Sequence, residues 1–369
     1  MKLVLLKNNF RDGLLAVQHA ATENITLPIL KNVLIKTFNN KIQISATNLE
    51  LAITKFISGK IIEDGSITVP LSTLLSITNN IGDERINLEV DRTTLKIKTD
   101  NYEALIQGLP EDEFPIVPKI ENSEHSLQLD TEIFNDGLLK VINAIQLSEI
   151  RPEISGVLLD FQVTYLKLVG TDSFRLAEKT IQEKNFTATF PRGFKIIIPL
   201  KTAQEVLRII HEGPITFFID ANQILFKNDD IEVISRLIDG TYPDYEQFIP
   251  KSFETEINLE REHLLSAVKL VSTFSGKVND IKILVASGSK SLQVYSANQH
   301  LGENKYLIPS KIKGSPVEVS FNWRYFMDGL KNFATTEVVF GLNGDSRPAI
   351  LKNPSDSSYF YIMMPIKSA

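Results

Sequence analysis

Cysteine is absent from this 369-residue chain, which removes disulfides, thiolate nucleophiles, thiolate zinc sites and iron–sulfur clusters together. Histidine is scarce. His19, His125, His211, His263 and His300 are scattered, with no two at metal-ligand spacing on a helix, and a lone histidine is more often a surface or satisfied core residue. No stretch reaches the roughly 18 to 20 apolar residues a membrane span needs. The apolar start Leu3–Leu6 is interrupted by Lys7, Arg11 and Asp12, so it lacks the uninterrupted core of a signal peptide. There is no Gly-x-Ser-x-Gly elbow, and Ser287-Gly288-Ser289-Lys290-Ser291 lacks the Gly-Lys-Ser/Thr end of a phosphate loop and reads as a hairpin turn. Acid pairs such as Glu63-Asp64 and Asp229-Asp230 read as solvated strand turns. These absences predict a cytoplasmic protein that is not an enzyme, with no catalytic residue, no metal, no cofactor and no membrane partner.

What is present describes an ordinary folded chain. Apolar residues make up 43% and charged residues 23%, near the averages for globular proteins, and the length suits two or three domains. The formal charge of -6 argues at first against a nucleic-acid partner, because phosphate binding normally rests on a Lys/Arg excess. The distribution is uneven, however. Residues 1–122 hold 13 basic and 15 acidic side chains, 123–253 hold 13 and 19, and 254–369 hold 13 and 11. An acidic outside with a basic inner face stays open.

The informative feature is self-similarity at a spacing of roughly 120 to 130 residues. An amphipathic helix opens each unit: Phe10, Leu14 and Val17 recur as Phe134, Leu138 and Val141, then as Leu264, Val268 and Val271, each set on one helical face. A strand ending in a small or polar pair follows: Ile42–Asn48, Leu166–Asp172 and Leu292–Asn298. A third pattern is a strand running into a second helix, at Ile67–Leu71, Ile196–Leu200 and Val317–Phe321, with proline near the first two helix starts. Alternating runs such as Ile86–Val90 and Thr94–Lys98 read as hairpins with one solvated face. Proline-containing joints, Leu109–Pro118 and Tyr242–Pro250, read as linkers. Three α+β domains are therefore expected at 1–122, 123–253 and 254–369, each with two helices packed on antiparallel sheets.

Thr26-Leu27-Pro28-Ile29-Leu30-Lys31-Asn32, Gly170-Thr171-Asp172-Ser173-Phe174-Arg175-Leu176-Ala177, Leu237-Ile238-Asp239-Gly240-Thr241-Tyr242-Pro243-Asp244-Tyr245 and Tyr361-Ile362-Met363-Met364-Pro365-Ile366 resemble, in this order and over essentially the whole chain, the signatures of the bacterial DNA polymerase sliding clamps. That resemblance implies a processivity factor made of repeated DNA-clamp domains, a head-to-tail homodimeric ring with helices lining the hole and duplex DNA threaded through it without sequence preference. It also implies a hydrophobic pocket for short linear motifs of the replicative polymerase alpha subunit, the clamp loader, other polymerases and repair proteins. The matching positions are Ile154, Thr171, Phe174, Arg175, Leu176, Pro243, Phe248, Met363, Met364, Pro365 and Ile366. Methionine suits a pocket with many ligands, since its unbranched thioether adapts its shape. Phe174 departs from the family, which often has histidine there. By the same similarity the DNA-facing residues are Arg151, Lys201, Asn322 and Tyr325, and Ile106 and Phe274 are placed at the dimer interface. A competing reading is a triple-repeat peptide-binding scaffold that does not encircle DNA, whose mark would be a monomer in solution.

Overall fold

A computed structural model of the chain describes residues 1–22, 26–82, 84–118, 120, 126–189 and 193–367. His125, the expected boundary between residues 122 and 123, and the last two residues lie outside them. The same order of elements is then traversed three times. First come β1 (Lys2–Leu6), α1 (Lys7–Val17), β2 (Asn32–Phe38), β3 (Lys41–Thr47), β4 (Leu51–Ile57), β5 (Lys60–Glu63), β6 (Ser66–Pro70), α2 (Leu71–Asn80), β7 (Arg85–Asp91), β8 (Thr94–Lys98) and β9 (Glu103–Gln107). The second repeat is β10 (Ser126–Asp130), α3 (Thr131–Ile142), β11 (Gly156–Phe161), β12 (Tyr165–Thr171), β13 (Arg175–Gln182), β14 (Phe186–Ala188), β15 (Phe194–Pro199), α4 (Leu200–Ile209), β16 (Pro214–Ile219), β17 (Gln223–Lys227) and β18 (Ile231–Arg236). The third is β19 (Thr255–Glu260), α5 (Arg261–Val271), β20 (Asp280–Val285), β21 (Ser291–Asn298), β22 (Gly302–Pro309), β23 (Lys311–Gly314), β24 (Val317–Asn322), α6 (Trp323–Lys331), β25 (Glu337–Leu342), β26 (Ala349–Lys352) and β27 (Tyr359–Met363).

Pairing repeats as faithfully as order. Each repeat contributes a five-stranded half and a four-stranded half. The five-stranded halves are β5-β1-β7-β8-β9, β14-β10-β16-β17-β18 and β23-β19-β25-β26-β27. The four-stranded halves are β4-β3-β2-β6, β13-β12-β11-β15 and β22-β21-β20-β24. Two junctions fuse these halves into nine-stranded antiparallel sheets: β4 with β18, and β13 with β27. The first five-stranded half and the last four-stranded half stand as separate sheets, ending in the edge strands β9 and β22.

The chain divides into two compact units. One holds the first repeat and the five-stranded half of the second; the other holds the four-stranded half of the second and all of the third. In the first unit, α1 lays Phe10, Leu14 and Val17, all fully buried, on its sheet. Gly13 faces the same contact, where a Cβ would come within 2.8 Å of Ile44 and 2.9 Å of Ile57. In the second unit, α3 and α5 repeat the seam with Phe134, Leu138, Val141, Leu264, Val268 and Val271, all buried, and Gly137 and Ala267 take the small-residue position of Gly13. Each such side chain stabilises by about 1.5–3 kcal/mol on burial, so the apolar seam, more than helix propensity, fixes these helices.

The second helices of the first two repeats begin one residue earlier than the sequence pattern suggests. Pro70 and Pro199 close their strands, and α2 and α4 begin at the next residue. Asn322 takes that place before α6, where its side-chain oxygen accepts the Arg324 N–H at 2.9 Å and caps the helix. The expected hairpin turn at Ser287–Ser291 is present, with Gly288 at φ +69°.

Candidate functional site

The residues singled out for the pocket all lie in the second unit. Their framework is the tight turn between β12 and β13. Thr171 donates its hydroxyl to the Arg175 carbonyl at 2.6 Å and accepts the Ser173 N–H at 3.2 Å, while Asp172 Oδ1 accepts the N–H groups of Phe174 and Arg175 at 2.9 and 3.0 Å. Ser173 is thereby held at φ +76°. With its backbone so committed, the turn projects Phe174 into solvent, 61% exposed.

One face of β12 and β13 receives α3, where Gly137 lies against Leu168. The opposite face carries Leu158, Val169, Leu176, Ile197, Ile350 and Ile362, aligned across neighbouring strands. The segment 238–253 covers it. Tyr242 and Tyr245 are buried in this cluster, and Ile238, Ile249 and Phe253 pack against it. This joint, which reads as a linker in the sequence, is therefore a strap across the sheet, and it explains why every residue of β11 is buried. Its ends differ in chemistry. Tyr245 donates its hydroxyl to Glu178 Oε2 at 2.6 Å, and Lys167 pairs with both Glu178 (3.6 Å) and Glu246 (2.9 Å). Burial, together with the Glu178 carboxylate, pushes the Tyr245 phenol well above its ordinary range, so it is a permanent donor. At the end of the strap's short turn, Phe248 is 60% exposed.

Arg175 closes the site on the helix side. Its Nε donates to Asp172 at 2.9 Å and its Nη1 to Asp328 at 2.5 Å, and its guanidinium stands 4.3 Å from the centre of the Tyr325 ring. Burial works against its charge, but Tyr361, Asp172 and Asp328 outweigh that and hold its pKa above the ordinary value. After β27 the chain continues past this end of the sheet: the Met364 N–H meets the Phe174 carbonyl at 2.8 Å and the Ile366 N–H meets the Ser320 carbonyl at 2.8 Å.

These contacts distribute the expected pocket residues over two faces. Ile154 and Leu176 join the cluster beneath the strap. Met363 pairs with Arg175 and, by strand alternation, shares its face; Ile362 beside it belongs to the cluster instead. Pro243, Met364, Pro365 and Ile366 are half-buried. Sequence reasoning missed Ile362, Tyr242, Tyr245 and Glu178, for which the two tyrosines in a Pro-bearing joint were the available signal. Tyr325, expected to face DNA, stacks on Arg175. Arg151 is exposed but engaged, donating to Ser173 Oγ at 2.8 Å and to Glu153 at 3.1 Å. Lys201 is exposed. Ile106 is only 7% exposed, whereas Leu105 beside it on β9 is 66% exposed. Phe274 is half-buried next to Gly302.

Among the described residues no group of histidine and acidic side chains could hold a metal ion, and no helix is long and apolar enough to cross a membrane. Relatives agree along the full length. The chain is 28% identical to the beta sliding clamp of Synechococcus elongatus, covering 100% of this chain and 99% of the relative, and 26% identical to that of Bacillus subtilis, covering 100% of both. Its fold matches the crystal structure of the Bacillus subtilis clamp with a TM-score of 0.94 at 25% identity, and that of a Bartonella birtlesii clamp bound to griselimycin with a TM-score of 0.91 at 27% identity, each over 100% of both chains. The family models for the N-terminal, central and C-terminal domains of the DNA polymerase III beta subunit match residues 1–118, 128–244 and 246–367 in order. A chain with three such modules in sequence belongs to the bacterial DNA polymerase III beta subunit family, the sliding clamps, and is a non-catalytic processivity factor.

Proposed function

We propose that this clamp acts in the cytoplasm as a head-to-tail homodimer that encircles duplex DNA and holds the replicative polymerase, the clamp loader and repair proteins by short peptides in the pocket of the second unit. Its three domains are assigned to 1–122, 123–253 and 254–369. The strand pattern carries the ring reading. Twice the chain joins the four-stranded half of one repeat to the five-stranded half of the next, and one half of each kind remains over. A second copy supplies the missing partner for both, and an exposed sheet edge left without one is an aggregation hazard.

Repetition also supports a register. At the two existing junctions Leu51 pairs with Ser235 and Arg175 with Met363. Hairpin pairing puts Gly302 in the place of Leu51 and Arg175, and Ile106 in the place of Ser235. Continued along the strands, β9 of one copy sets Glu103 opposite Lys305 on β22 of the other. Opposite charges directly across an antiparallel pair are favourable and like charges are not. Sedimentation should therefore show a dimer at micromolar concentration, weakened about tenfold or more by Glu103→Lys and recovered by adding Lys305→Glu. A monomeric unaltered protein would instead favour the scaffold that never encloses DNA.

Topological linkage answers the charge question, because a ring needs few phosphate contacts and a strongly basic channel would bring large counterion terms. Arg151, Lys201, Asn322 and Tyr325 are the proposed DNA-facing residues, with Lys201 the least engaged elsewhere. The loaded protein should stay on closed circular DNA and leave once the circle is cut; equal release from both forms rejects encirclement. For the pocket, griselimycin is the available probe, since a related clamp is bound to it.

A further inference from the structure

Glu178 is a buried charge at a position that the other repeats fill differently. Hairpin register equates it with Thr54 on β4 and Lys305 on β22. Thr54 is buried and neutral, sharing a hydrogen bond with Ser45 at 2.9 Å, and Lys305 is exposed. Glu178, by contrast, sits under the strap with one oxygen on the Tyr245 hydroxyl at 2.6 Å and the other 3.4 Å from the Thr180 hydroxyl and 3.6 Å from Lys167. Lys167 reaches on to Glu246 at 2.9 Å. Two consecutive strap residues, Tyr245 and Glu246, are thus held from below by one carboxylate and one ammonium.

The remaining side chains that attach the strap to this cluster, Ile238, Tyr242, Ile249 and Phe253, do so through apolar packing. Such packing is non-directional and would tolerate a small slide, whereas a hydrogen bond to an ionised acceptor is short and oriented. The hydroxyl of Tyr242, although buried, has no hydrogen-bond partner among the described residues, so among them this neighbouring ring carries no such directional bond. The Tyr245 anchor is coupled to the pocket by backbone: the Phe248 N–H donates to the Tyr245 carbonyl at 3.0 Å, and the Ile249 N–H to that of Glu246 at 3.2 Å. Phe248 is therefore presented by a turn whose first residue is pinned to Glu178.

We infer that Glu178 is a positioning residue for ligand capture: through Tyr245 it fixes the strap turn that presents Pro243 and Phe248, and so sets the affinity of the pocket without touching the ligand. This inference rests on the peptide-pocket reading of the same site, and the test separates the two. In the full-length protein, griselimycin affinity is measured together with hydrogen exchange at the amides of Phe248 and Ile249. Tyr245→Phe keeps the ring and removes the bond; it should raise the griselimycin Kd on the order of tenfold and speed exchange at both amides by a similar factor. Glu178→Gln, which keeps a neutral acceptor, should give a smaller rise of about threefold. Normal affinity or normal exchange in Tyr245→Phe would overturn the positioning role, even if its melting temperature fell, because a purely structural bond lowers stability alone. If the unaltered protein does not bind griselimycin, or Phe248→Ala binds it as well as the unaltered protein does, the pocket reading itself fails and takes the inference with it.

Discussion

The turn that frames the proposed pocket has a twin in the first unit, and the two differ in side chains far more than in backbone. Between β3 and β4, Thr47 donates to the Leu51 carbonyl at 3.0 Å and accepts the Leu49 N–H at 3.1 Å, and Asn48 accepts two amides at 3.0 and 2.8 Å. Leu49 sits at φ +76°, the same value as Ser173. The strand after each turn pairs with the last strand of the next repeat's five-stranded half, and in each of the two repeats the chain just past its own five-stranded half bridges back to the strand before its second helix: Leu109 to Thr68, Ile238 to Ile197. On this shared frame the first copy carries Glu50, Leu51 and Thr54, where the second carries Phe174, Arg175 and Glu178. The joints differ in the same sense. Phe114 is 6% exposed and Phe248 60%. The first copy buries the phenylalanine of its joint; the second buries charges to hold its strap and leaves two phenylalanines in solvent. The backbone belongs to the repeat, and the proposed pocket is made by a few exchanged side chains.

The sharpest break of this comparison is the phenylalanine pair. Phe114→Ala should cost about 3–5 kcal/mol by leaving a cavity in a packed surface, while Phe248→Ala should change stability by less than about 0.5 kcal/mol, as for an exposed position. Denaturant titration of the two variants decides it, and comparable losses would mean that Phe248 is a core residue and the second copy is closed as well. Next in size is Arg175→Leu, which imports the first copy's side chain. It strands the buried carboxylate of Asp172 and should cost about 3 kcal/mol. Adding Asp172→Asn recreates the Asn48–Leu51 pattern and should recover most of that loss, since an amide oxygen can still accept both turn amides. A double variant no more stable than the single one would show that the arginine is held for reasons other than its acids.

Much of this frame is legible in the sequence. The helices announce themselves because Phe10, Leu14 and Val17 and their two counterparts obey a helical period that only one buried face requires, and the strand ends at Asn48, Asp172 and Asn298 mark turns because such side chains cap their own backbone. What escaped reading was parity and cover. Ala104-Leu105-Ile106 and Tyr361-Ile362-Met363 are short apolar runs, and composition alone does not say which face each alternate residue takes; Ile106 is buried where Leu105 is exposed, and Met363 shares the face of Arg175 where Ile362 joins the cluster under the strap. A one-residue slip reverses every side chain, and only pairing with β8 and β13 settles it. The strap was hidden for a different reason. Its prolines give it the composition of a linker, and its burial depends on a sheet face assembled from residues as far apart as Leu158 and Ile362.

The smallest effect is the one that the two copies should share. Thr47 and Thr171 make the same pair of bonds, and Val in place of either keeps the shape and removes the hydroxyl. Each substitution should cost about 1 kcal/mol, the net worth of an ordinary hydrogen bond with some penalty for the amide left unpaired. Because the frame is common to both, the two losses should agree within about 0.5 kcal/mol, a spread no larger than that of independent sites in one protein. Thr171→Val should in addition weaken griselimycin binding, since it loosens the turn that carries Phe174, whereas Thr47→Val should leave binding untouched. A Thr171→Val loss several times larger than that of Thr47→Val would mean that the charged side chains of the second copy, and not its repeated backbone, hold that turn in place.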